Sequence, residues 1–195
     1  SSTITVSGNW DSSAGTFTFG TSTVVIAATS TLTTPDVYSV SRFYDLTVNA
    51  SITVTLGSGV GVQNVFTVTG TVTGASRYVG IGNQVTCQAS PLVLGGSSRI
   101  SGIAGILFRC NSNYNIPGAA YSDLYATTFS TANTIATLTG AITASAYIEV
   151  SAPGGSITFA AGANNITVNG PGSSGIYINV GSGSSVGALT FTTGV

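Results

Sequence analysis

The sequence predicts an all-β protein, and three observations lead to that fold class. Apolar and polar residues alternate along many short segments with a period of two, which is the spacing of side chains on one face of a β-strand. These segments are rich in threonine, valine and isoleucine, whose branched side chains favour extended backbone. Clusters of glycine and proline, such as Pro153–Gly155 and Gly170–Gly172, separate the segments. No window has helical periodicity, so we predict strands joined by tight turns.

Each predicted strand is a short segment with at least two β-branched or aromatic residues. The first, Thr3–Val6, places Ile4 and Val6 on one face and two threonines on the other, and Thr16–Phe19 does the same with two phenylalanines. In chain order, the remaining predicted strands are Ser22–Ile26, Leu46–Val48, Ile52–Leu56, Val65–Val68, Thr71–Thr73, Ile135–Leu138, Ile142–Thr143, Tyr147–Val150, Ile157–Phe159, Ile166–Val168, Ile176–Val180 and Leu189–Phe191.

The spacing of these strands fits two architectures. One is a β-sandwich or jelly roll with strand exchange between subunits, and the other is a parallel β-solenoid with two or three strands in each turn. Internal similarity favours the solenoid, because the Phe-Tyr-Asp-Leu of residues 43–46 is echoed by the Tyr-Ser-Asp-Leu of residues 121–124. We therefore predict one all-β domain over residues 1–195 that coils as a parallel β-solenoid, with the sandwich as the alternative.

The middle of the chain differs from both ends. From residue 79 to about residue 120 the alternation weakens, and both cysteines, Cys87 and Cys110, lie in this segment. In an exported protein two cysteines most simply pair, and the alternative is two buried free thiols. We predict an irregular insertion over residues 79–120 that is fastened by a Cys87–Cys110 disulfide.

Three segments of the first half resemble a known kind of repeat. They are Gly8–Gly20, which contains Asn-Trp and Gly-Thr-Phe, then Phe43–Asn49, and then Ile52–Gly57 with its Thr-Val-Thr-Leu. This pattern resembles the Thr/Gly-rich repeats of large bacterial and archaeal cell-surface, adhesin-like proteins, over roughly residues 8–73 and more faintly over residues 121–170. The resemblance implies a parallel β-solenoid with an adhesive or structural role. Asp45 stands where asparagine is common in such repeats.

The scarcity of charge excludes several function classes. The chain has four basic residues, all arginine, and five acidic residues, with no histidine and no lysine. Four scattered arginines cannot neutralise the phosphates that a nucleic-acid site needs. Without histidine there is no Ser-His-Asp triad, and without lysine there is neither a P-loop nor a Schiff base. We expect no nucleic-acid partner, no cofactor and no enzymatic activity.

The carboxylates and asparagines allow two weaker chemical hypotheses. A glycosidase or lyase would use a carboxylate pair, for which Asp45 and Asp123 in the echoed motifs are the best candidates. The alternative, which we favour, is that both bond backbone amides where a strand begins. Asn111, Asn113 and Asn115 could hold a weakly bound cation together with backbone carbonyls. Because no Asp-x-Asp spacing occurs, we predict no metal site.

Four residues are candidates for contact with glycans. The sequons Asn49-Ala50-Ser51 and Asn165-Ile166-Thr167 make Asn49 and Asn165 candidate glycosylation sites, although a sequence rich in serine and threonine produces sequons by chance. Trp10 and Tyr114 have asparagine or aspartate neighbours and are candidate contacts to a bound glycan. The alternative for both aromatic residues is packing at the rim of the core.

The N-terminal segment is the candidate assembly element. Natural β-proteins protect exposed strand edges with charge, especially lysine, and this chain has almost none. Residues 1–7 form an uncharged alternating segment that could pair with a neighbouring subunit through Ile4 and Val6, or could pair within its own subunit. We favour self-association into a homopolymer over a monomer with open edges.

The function expected from these features is structural. We expect a subunit of an extracellular filament, sheath or surface layer, located outside the cell or at the cell surface. The alternative is a glycan-binding adhesin or viral spike module with surface glycans as partners. No apolar run approaches the ~20 residues of a membrane-spanning helix, so we expect no membrane span.

Overall fold

The protein is a β-solenoid. The computed structural model describes residues 1–130, 132–153, 155–169, 175–179 and 189–193, and in these residues the chain contains β-strands and no helix. Every strand pairing among them is parallel. The stacked strands form about seven turns. The predicted fold class is therefore confirmed, and the sandwich alternative is wrong.

The strands are short and follow the chain from turn to turn. In order they are β1 (Thr3–Val6), β2 (Trp10–Asp11), β3 (Thr23–Ile26), β4 (Ser30–Thr33), β5 (Phe43–Val48), β6 (Thr53–Leu56), β7 (Val60–Val68), β8 (Thr71–Val85), β9 (Leu92–Leu94), β10 (Arg99–Cys110), β11 (Tyr114–Ile116), β12 (Ala120–Tyr121), β13 (Asp123–Thr127), β14 (Asn133–Leu138), β15 (Ile142–Ala144), β16 (Tyr147–Ser151), β17 (Ser156–Gly162), β18 (Ile166–Val168), β19 (Gly175–Asn179) and β20 (Leu189–Thr193).

Strands from successive turns pair in several stacks. The first stack contains β1, β3, β5, the end of β7, and β9. The second contains β2, β4, β6 and the beginnings of β8 and β10. The third stack begins at the start of β7 and continues through β8, β10, β13, β16 and β19. Two further sheets, β11-β14-β17-β20 and β12-β15-β18, belong to the later turns.

The core is a column of apolar side chains that point into the coil. In the first stack Val24, Leu46, Phe66 and Leu92 are register partners on four successive turns, and all four are buried. Each such side chain contributes about 1.5–3 kcal/mol when it is fully withdrawn from water. Alternate residues point outward, and many of these are threonines. The period-two pattern of the sequence is therefore the inward and outward alternation of the solenoid wall.

Polar side chains at the corners hold neighbouring turns together. Asn9 Oδ1 accepts a hydrogen bond from the Thr31 backbone N–H at 2.9 Å, and Ser58 Oγ accepts one from the Thr34 N–H at 2.7 Å. Asn113 Oδ1 does the same for the Ile135 N–H at 2.9 Å. Thr31 and Ile135 lie in β4 and β14, beside places where the strand of the neighbouring turn has not yet begun, so their N–H groups need a side-chain acceptor. Serine and asparagine are abundant in the loops because their side chains supply those acceptors.

One predicted strand, Thr16–Phe19, is not a strand in the structure. The Phe17 N–H donates to Ser41 Oγ at 2.6 Å instead of joining a ladder. The Phe17 ring packs against Trp10 and Phe43, with centroid distances of 4.9 and 5.9 Å. The alternating pattern is real here, but the aromatic packing and the serine hydrogen bond place the segment at a corner.

Residues 79–120 are part of the solenoid and do not form an insertion beside it. They supply the end of β8, all of β9, β10 and β11, and the first residue of β12. The alternation is weak in this segment because the ladder between β8 and β10 contains register shifts. Glycines such as Gly80 and Gly105 also occupy positions where other turns carry side chains. The prediction of an irregular insertion is therefore corrected.

Candidate functional site

The outer face of the third stack carries a row of tyrosines. Tyr78 of β8, Tyr125 of β13 and Tyr147 of β16 come from three different turns, and all three side chains are half-buried. The rings of Tyr78 and Tyr125 meet edge to face with centroids 5.9 Å apart, and those of Tyr125 and Tyr147 do so at 5.2 Å. Such pairs are worth about 0.5–1.5 kcal/mol beyond their buried area. The row is therefore a fixed aromatic surface along the solenoid.

Asp123 is the buried carboxylate of this face. It is 7% exposed, and its Oδ2 accepts a hydrogen bond from the Tyr78 hydroxyl at 3.0 Å. Its other oxygen, Oδ1, is buried without a hydrogen-bond partner. Burial, followed by the hydrogen bond and charge of Asp123, raises the pKa of Tyr78 to about 12. Burial and then the charge of Asp123 also raise the pKa of Tyr147 to about 12. Both phenols therefore stay protonated at neutral pH.

Two neighbouring cavities open on this face. The first has a volume of about 450 Å³ and is lined by Ala75, Ser76, Tyr78, Ala104, Ser122, Asp123 and Ala146. The second, of about 360 Å³, is lined by Tyr38, Leu107, Arg109, Tyr125, Thr127, Phe129, Glu149, Ser151 and Pro153. Tyr125 lines the second cavity and contacts Tyr78, which lines the first. We call the two cavities together the tyrosine groove.

Arg109 forms one end of the tyrosine groove. Its guanidinium carbon lies 4.5 Å from the ring centre of Tyr38 and 5.0 Å from that of Phe129. A cation between two rings is held by the ring quadrupoles, at about 0.5–1 kcal/mol for each exposed contact. Burial, and then repulsion by Arg109, lowers the pKa of Arg42. The positive charge of Arg109 is thus held in place by aromatic contacts.

The loop before β5 forms a wall of the tyrosine groove. Val37 packs over Gly61 and Gly80 of the third stack and over Gly59, which immediately precedes β7, and a Cβ at Gly80 would lie 2.6 Å from Val37 Cγ2. A Cβ at Gly61 would lie 2.8 Å from the Val37 carbonyl oxygen, and one at Gly59 would lie 3.1 Å from Val37 Cβ. The absence of side chains at these positions lets the loop approach the strands and brings Tyr38 to Arg109.

The candidate assembly strand pairs within its own chain. Thr3–Val6 forms β1, and its four residues pair in parallel with Thr23–Ile26. This is the arrangement in which the segment pairs within its own subunit, and exchange of residues 1–7 between subunits stays a prediction. Ile4 is 36% exposed and Val6 is half-buried against the core. Among the described residues, β1 pairs with β3 alone.

The two aromatic residues predicted to contact glycans have different environments. Trp10 is half-buried against Phe17 and Phe43, and together with residues 11–17 it lines a cavity of about 510 Å³. Tyr114 is 2% exposed and stacks on Phe108, with ring centres 5.4 Å apart. Its burial excludes contact with a glycan at the surface, so that prediction is wrong. Beside Trp10, hydrogen bonds from Ser13 lower the pKa of Asp11.

The structure contains the predicted disulfide. Cys87 and Cys110 are bonded, with Cα atoms 5.4 Å apart, and no described cysteine is free. The bond joins the end of β10 to the loop that follows β8. Gly82 lies against it with φ at +94°, and a Cβ there would lie 2.5 Å from Cys87 Sγ. This glycine is therefore required both by its backbone conformation and by the space that the disulfide occupies.

The two sequons lie at different depths. Asn49 is half-buried, and its backbone N–H donates to the Ile26 carbonyl. Asn165 is exposed immediately before β18, and its carbonyl accepts a hydrogen bond from the Ile142 N–H. Glycosylation at either position stays a prediction, and Asn165 is the more accessible of the two.

The three asparagines considered for a cation bind the protein itself. Asn111 Oδ1 accepts from the Phe129 N–H at 2.9 Å, while its amide donates to the Gln84 carbonyl at 2.8 Å. Asn113 holds the Ile135 N–H, and the Asn115 amide reaches Ser90 Oγ at 3.4 Å. Within the described residues, no group of three or more acidic or cysteine side chains could hold a metal ion.

The two carboxylates of the enzyme hypothesis lie in separate hydrogen-bond networks. Asp45 Oδ1 accepts from the Asn64 amide at 2.7 Å and from the Val65 N–H at 3.1 Å. Asp123 bonds the Tyr78 hydroxyl. The expectation that such aspartates bond backbone amides fits Asp45, whereas Asp123 accepts its hydrogen bond from a side chain, the Tyr78 hydroxyl. The structure does not bring the two into one network.

Comparison with protein-family models, curated proteins and solved structures finds no significant match to this chain. In the part of the chain that the structure describes, no helix has the length and apolar character needed to cross a membrane. The tyrosine groove was not found by sequence reasoning. One signal in the sequence could have found it: a carboxylate and a tyrosine stand two residues apart in β13 (Asp123 and Tyr125) and again in β16 (Tyr147 and Glu149).

Proposed function

We propose that the protein is a structural subunit of an extracellular filament, sheath or surface layer, and that its copies assemble through β-strand contacts. The proposal includes no catalytic role and no cofactor. The observation that carries it is the outer edge of β1, a strand with no charged side chain that pairs on one edge among the described residues. An uncharged strand with one open edge is a template for pairing with another chain.

The first turn also presents apolar side chains for such a contact. Ile4 lies above Val24 and Val6 above Ile26, so both continue the apolar column of the core, yet Ile4 is 36% exposed. A strand laid along β1 would cover Ile4 and extend the column by one layer. Burying a side chain of this kind contributes about 1.5–3 kcal/mol, and each ladder hydrogen bond about 0.5–1.5 kcal/mol before ordering costs.

The rest of the structure fits a load-bearing rod outside the cell. Ladder bonds, corner side chains and a continuous core connect each turn to the next along the axis. A disulfide persists in oxidising compartments, which supports an extracellular or cell-surface location. The small number of charged residues suits a surface that is largely covered by neighbouring copies.

The test adds charge to the β1 edge and, as a control, to the middle of the solenoid. Thr3→Lys/Thr5→Lys places two lysines on exposed positions of β1. Thr55→Lys/Thr143→Lys places the same charge on exposed positions of β6 and β15. Sedimentation velocity over a concentration series and negative-stain electron microscopy measure assembly.

We expect the wild type and the control to form filaments or sheets, and the β1 variant to remain a folded monomer. The proposal fails if the wild type stays monomeric at the highest soluble concentration. It also fails if the β1 variant assembles as the wild type does.

A further inference from the structure

We infer that the tyrosine groove is a binding site for a neutral oligosaccharide, with Tyr125 as the central aromatic contact and Asp123 and Glu149 as hydrogen-bond acceptors. This inference does not depend on the proposed assembly, because it concerns a different face of the molecule. It also assigns glycan contact to other residues than the sequence did.

The dimensions of the groove suit a short sugar chain. Its two cavities measure about 450 and 360 Å³ and lie on either side of the contact between Tyr78 and Tyr125. Small-molecule sites are clefts of about 300–1,000 Å³ that combine apolar walls with a few polar groups. An oligosaccharide passing over Tyr125 could occupy both cavities at once.

The lining of the first cavity fits the two chemical surfaces of a sugar ring. Alanines 75, 104 and 146 contribute small apolar surface, and the Tyr78 ring adds an aromatic wall against which ring C–H groups can pack. Ser76, Ser122 and Asp123 supply polar atoms for the hydroxyl groups at the edge of the sugar.

Asp123 provides the observation that points most directly to a ligand. A buried oxygen without a partner costs about 1–3 kcal/mol, more for a charged group, so native proteins retain few of them. Oδ1 of Asp123 is such an atom, and the residue lines the first cavity. A sugar hydroxyl that reached this oxygen from the cavity would donate the missing hydrogen bond.

The charges of the groove favour a neutral sugar over a charged one. Asp123 lines the first cavity and Glu149 the second, so a uronic acid or sulfated sugar would meet a carboxylate in either place. Arg109 is the one cation of the lining, and its guanidinium already lies over the rings of Tyr38 and Phe129. Its positive charge would repel a ligand that carries an ammonium group.

The experiment is calorimetric titration of the 195-residue chain with five tetrasaccharides and choline. The neutral probes are β-1,4-glucose, α-1,4-glucose, β-1,4-mannose and β-1,4-N-acetylglucosamine tetramers. A galacturonate tetramer and choline are the anionic and cationic probes. Amide chemical shifts of Gly105 and Tyr125, recorded on the Thr3→Lys/Thr5→Lys variant so that assembly does not broaden them, report whether a bound probe lies in the groove.

Variants test whether a probe binds in the groove or elsewhere on the surface. Tyr125→Ala removes the central ring, and Asp123→Asn keeps the size of the side chain while removing its charge. The matched controls are Tyr44→Ala and Asp45→Asn, which change the same residue types in β5, outside the groove lining. Thermal midpoints confirm that each variant is folded, and Asp123→Asn keeps the test decisive if Tyr125→Ala does not fold.

We expect at least one neutral tetramer to bind with Kd of about 1 mM or tighter and to shift the Gly105 and Tyr125 amides. Each folded groove variant should weaken that binding about tenfold or more, and the controls should change it less than about twofold. The inference is overturned if no neutral tetramer binds, or if galacturonate or choline binds more tightly than all of them. It is also overturned if a folded groove variant binds as the wild type does.

Discussion

Tyr78 and Asp123 lie two strands apart in the third stack, yet the Tyr78 hydroxyl donates a hydrogen bond to Asp123 Oδ2 at 3.0 Å. The residue between them in register is Gly105. A Cβ at Gly105 would lie 2.6 Å from the Asp123 carbonyl oxygen and 2.8 Å from Asp123 Cβ. The missing side chain allows the phenol and the carboxylate to meet across an intervening turn, and this contact shapes the first cavity of the tyrosine groove.

Replacing Gly105 should therefore destabilise the protein. Gly105→Ala forces the new methyl group against the backbone of β13, and overpacking of this kind costs about 1–3 kcal/mol. For a chain of this size the thermal midpoint should fall by about 2–4 °C for each kcal/mol. Gly96→Ala is the matched control, because a Cβ there meets nothing within 4 Å. Equal thermal midpoints for the two variants would contradict the close approach at Gly105.

The disulfide should contribute to stability. Removing it with Cys87→Ser/Cys110→Ser should lower the free energy of unfolding by about 2–4 kcal/mol, because the unfolded chain regains the freedom of the closed loop. Denaturant unfolding with and without reductant measures the effect. The double variant should be insensitive to reductant. Mass spectrometry that finds two alkylatable thiols in the unreduced wild type would contradict the bond itself.

Two buried tyrosines should differ in how their stability responds to loss of the hydroxyl. Tyr121 Oη donates to the Pro117 carbonyl at 2.7 Å, so Tyr121→Phe should cost about 0.5–1.5 kcal/mol. Tyr114 Oη is buried without a partner, so Tyr114→Phe removes an unsatisfied polar group and should leave stability unchanged or raise it. Denaturant unfolding of the two variants forms the comparison. A larger loss for Tyr114→Phe than for Tyr121→Phe would refute this account.

Stability should be nearly constant from about pH 4 to 9 and should fall above about pH 10. Burial raises the pKa of Tyr78 and Tyr147 to about 12, so between pH 10 and 12 the folded chain keeps protons that the unfolded chain has lost. Such a difference in bound protons lowers the free energy of unfolding as pH rises. Burial raises the pKa of Tyr114 and Tyr121 as well, which acts in the same direction.

Thermal melts across the pH range check this expectation, with Tyr78→Phe as the comparison. The variant lacks one titrating phenol and should lose less stability above pH 10 than the wild type. A drop of more than ~10 °C between pH 4 and 9 would show that other groups control the pH dependence. On the acid side, hydrogen bonds from Ser13 lower the pKa of Asp11. The stability that this carboxylate contributes is therefore lost only as pH falls below about 4.

Local pattern predicted many strands well. Thr3–Val6 and Ile166–Val168 were predicted with the bounds that the structure has, and Ser22–Ile26 differs by one residue. These strands bury one face and expose the other, so alternation marks them. Strands β2, β4 and β9 to β13 were not predicted. In β9 to β12, register shifts, glycines and buried cysteine and tyrosine side chains break the alternation.

The length of the turns was not readable from the sequence. Val24, Leu46, Phe66 and Leu92 stack directly above one another, yet they are spaced by 22, 20 and 26 residues. A repeat with variable loops leaves no fixed period for sequence comparison to detect. The echoed segments do not occupy equivalent places: residues 43–46 lie within β5, whereas residues 121–124 span the end of β12 and the beginning of β13.

The sequence by itself determined that this chain forms strands, which residues of most strands face the core, and that two cysteines are available to pair. Those properties follow from neighbours within a few positions, where side-chain alternation and β-branching act. Only the tertiary structure decided that Tyr78, Tyr125 and Tyr147 form one row and that Asp123 reaches Tyr78 across Gly105. These contacts depend on the register between turns, and the register is set by loop lengths and by packing of the whole core.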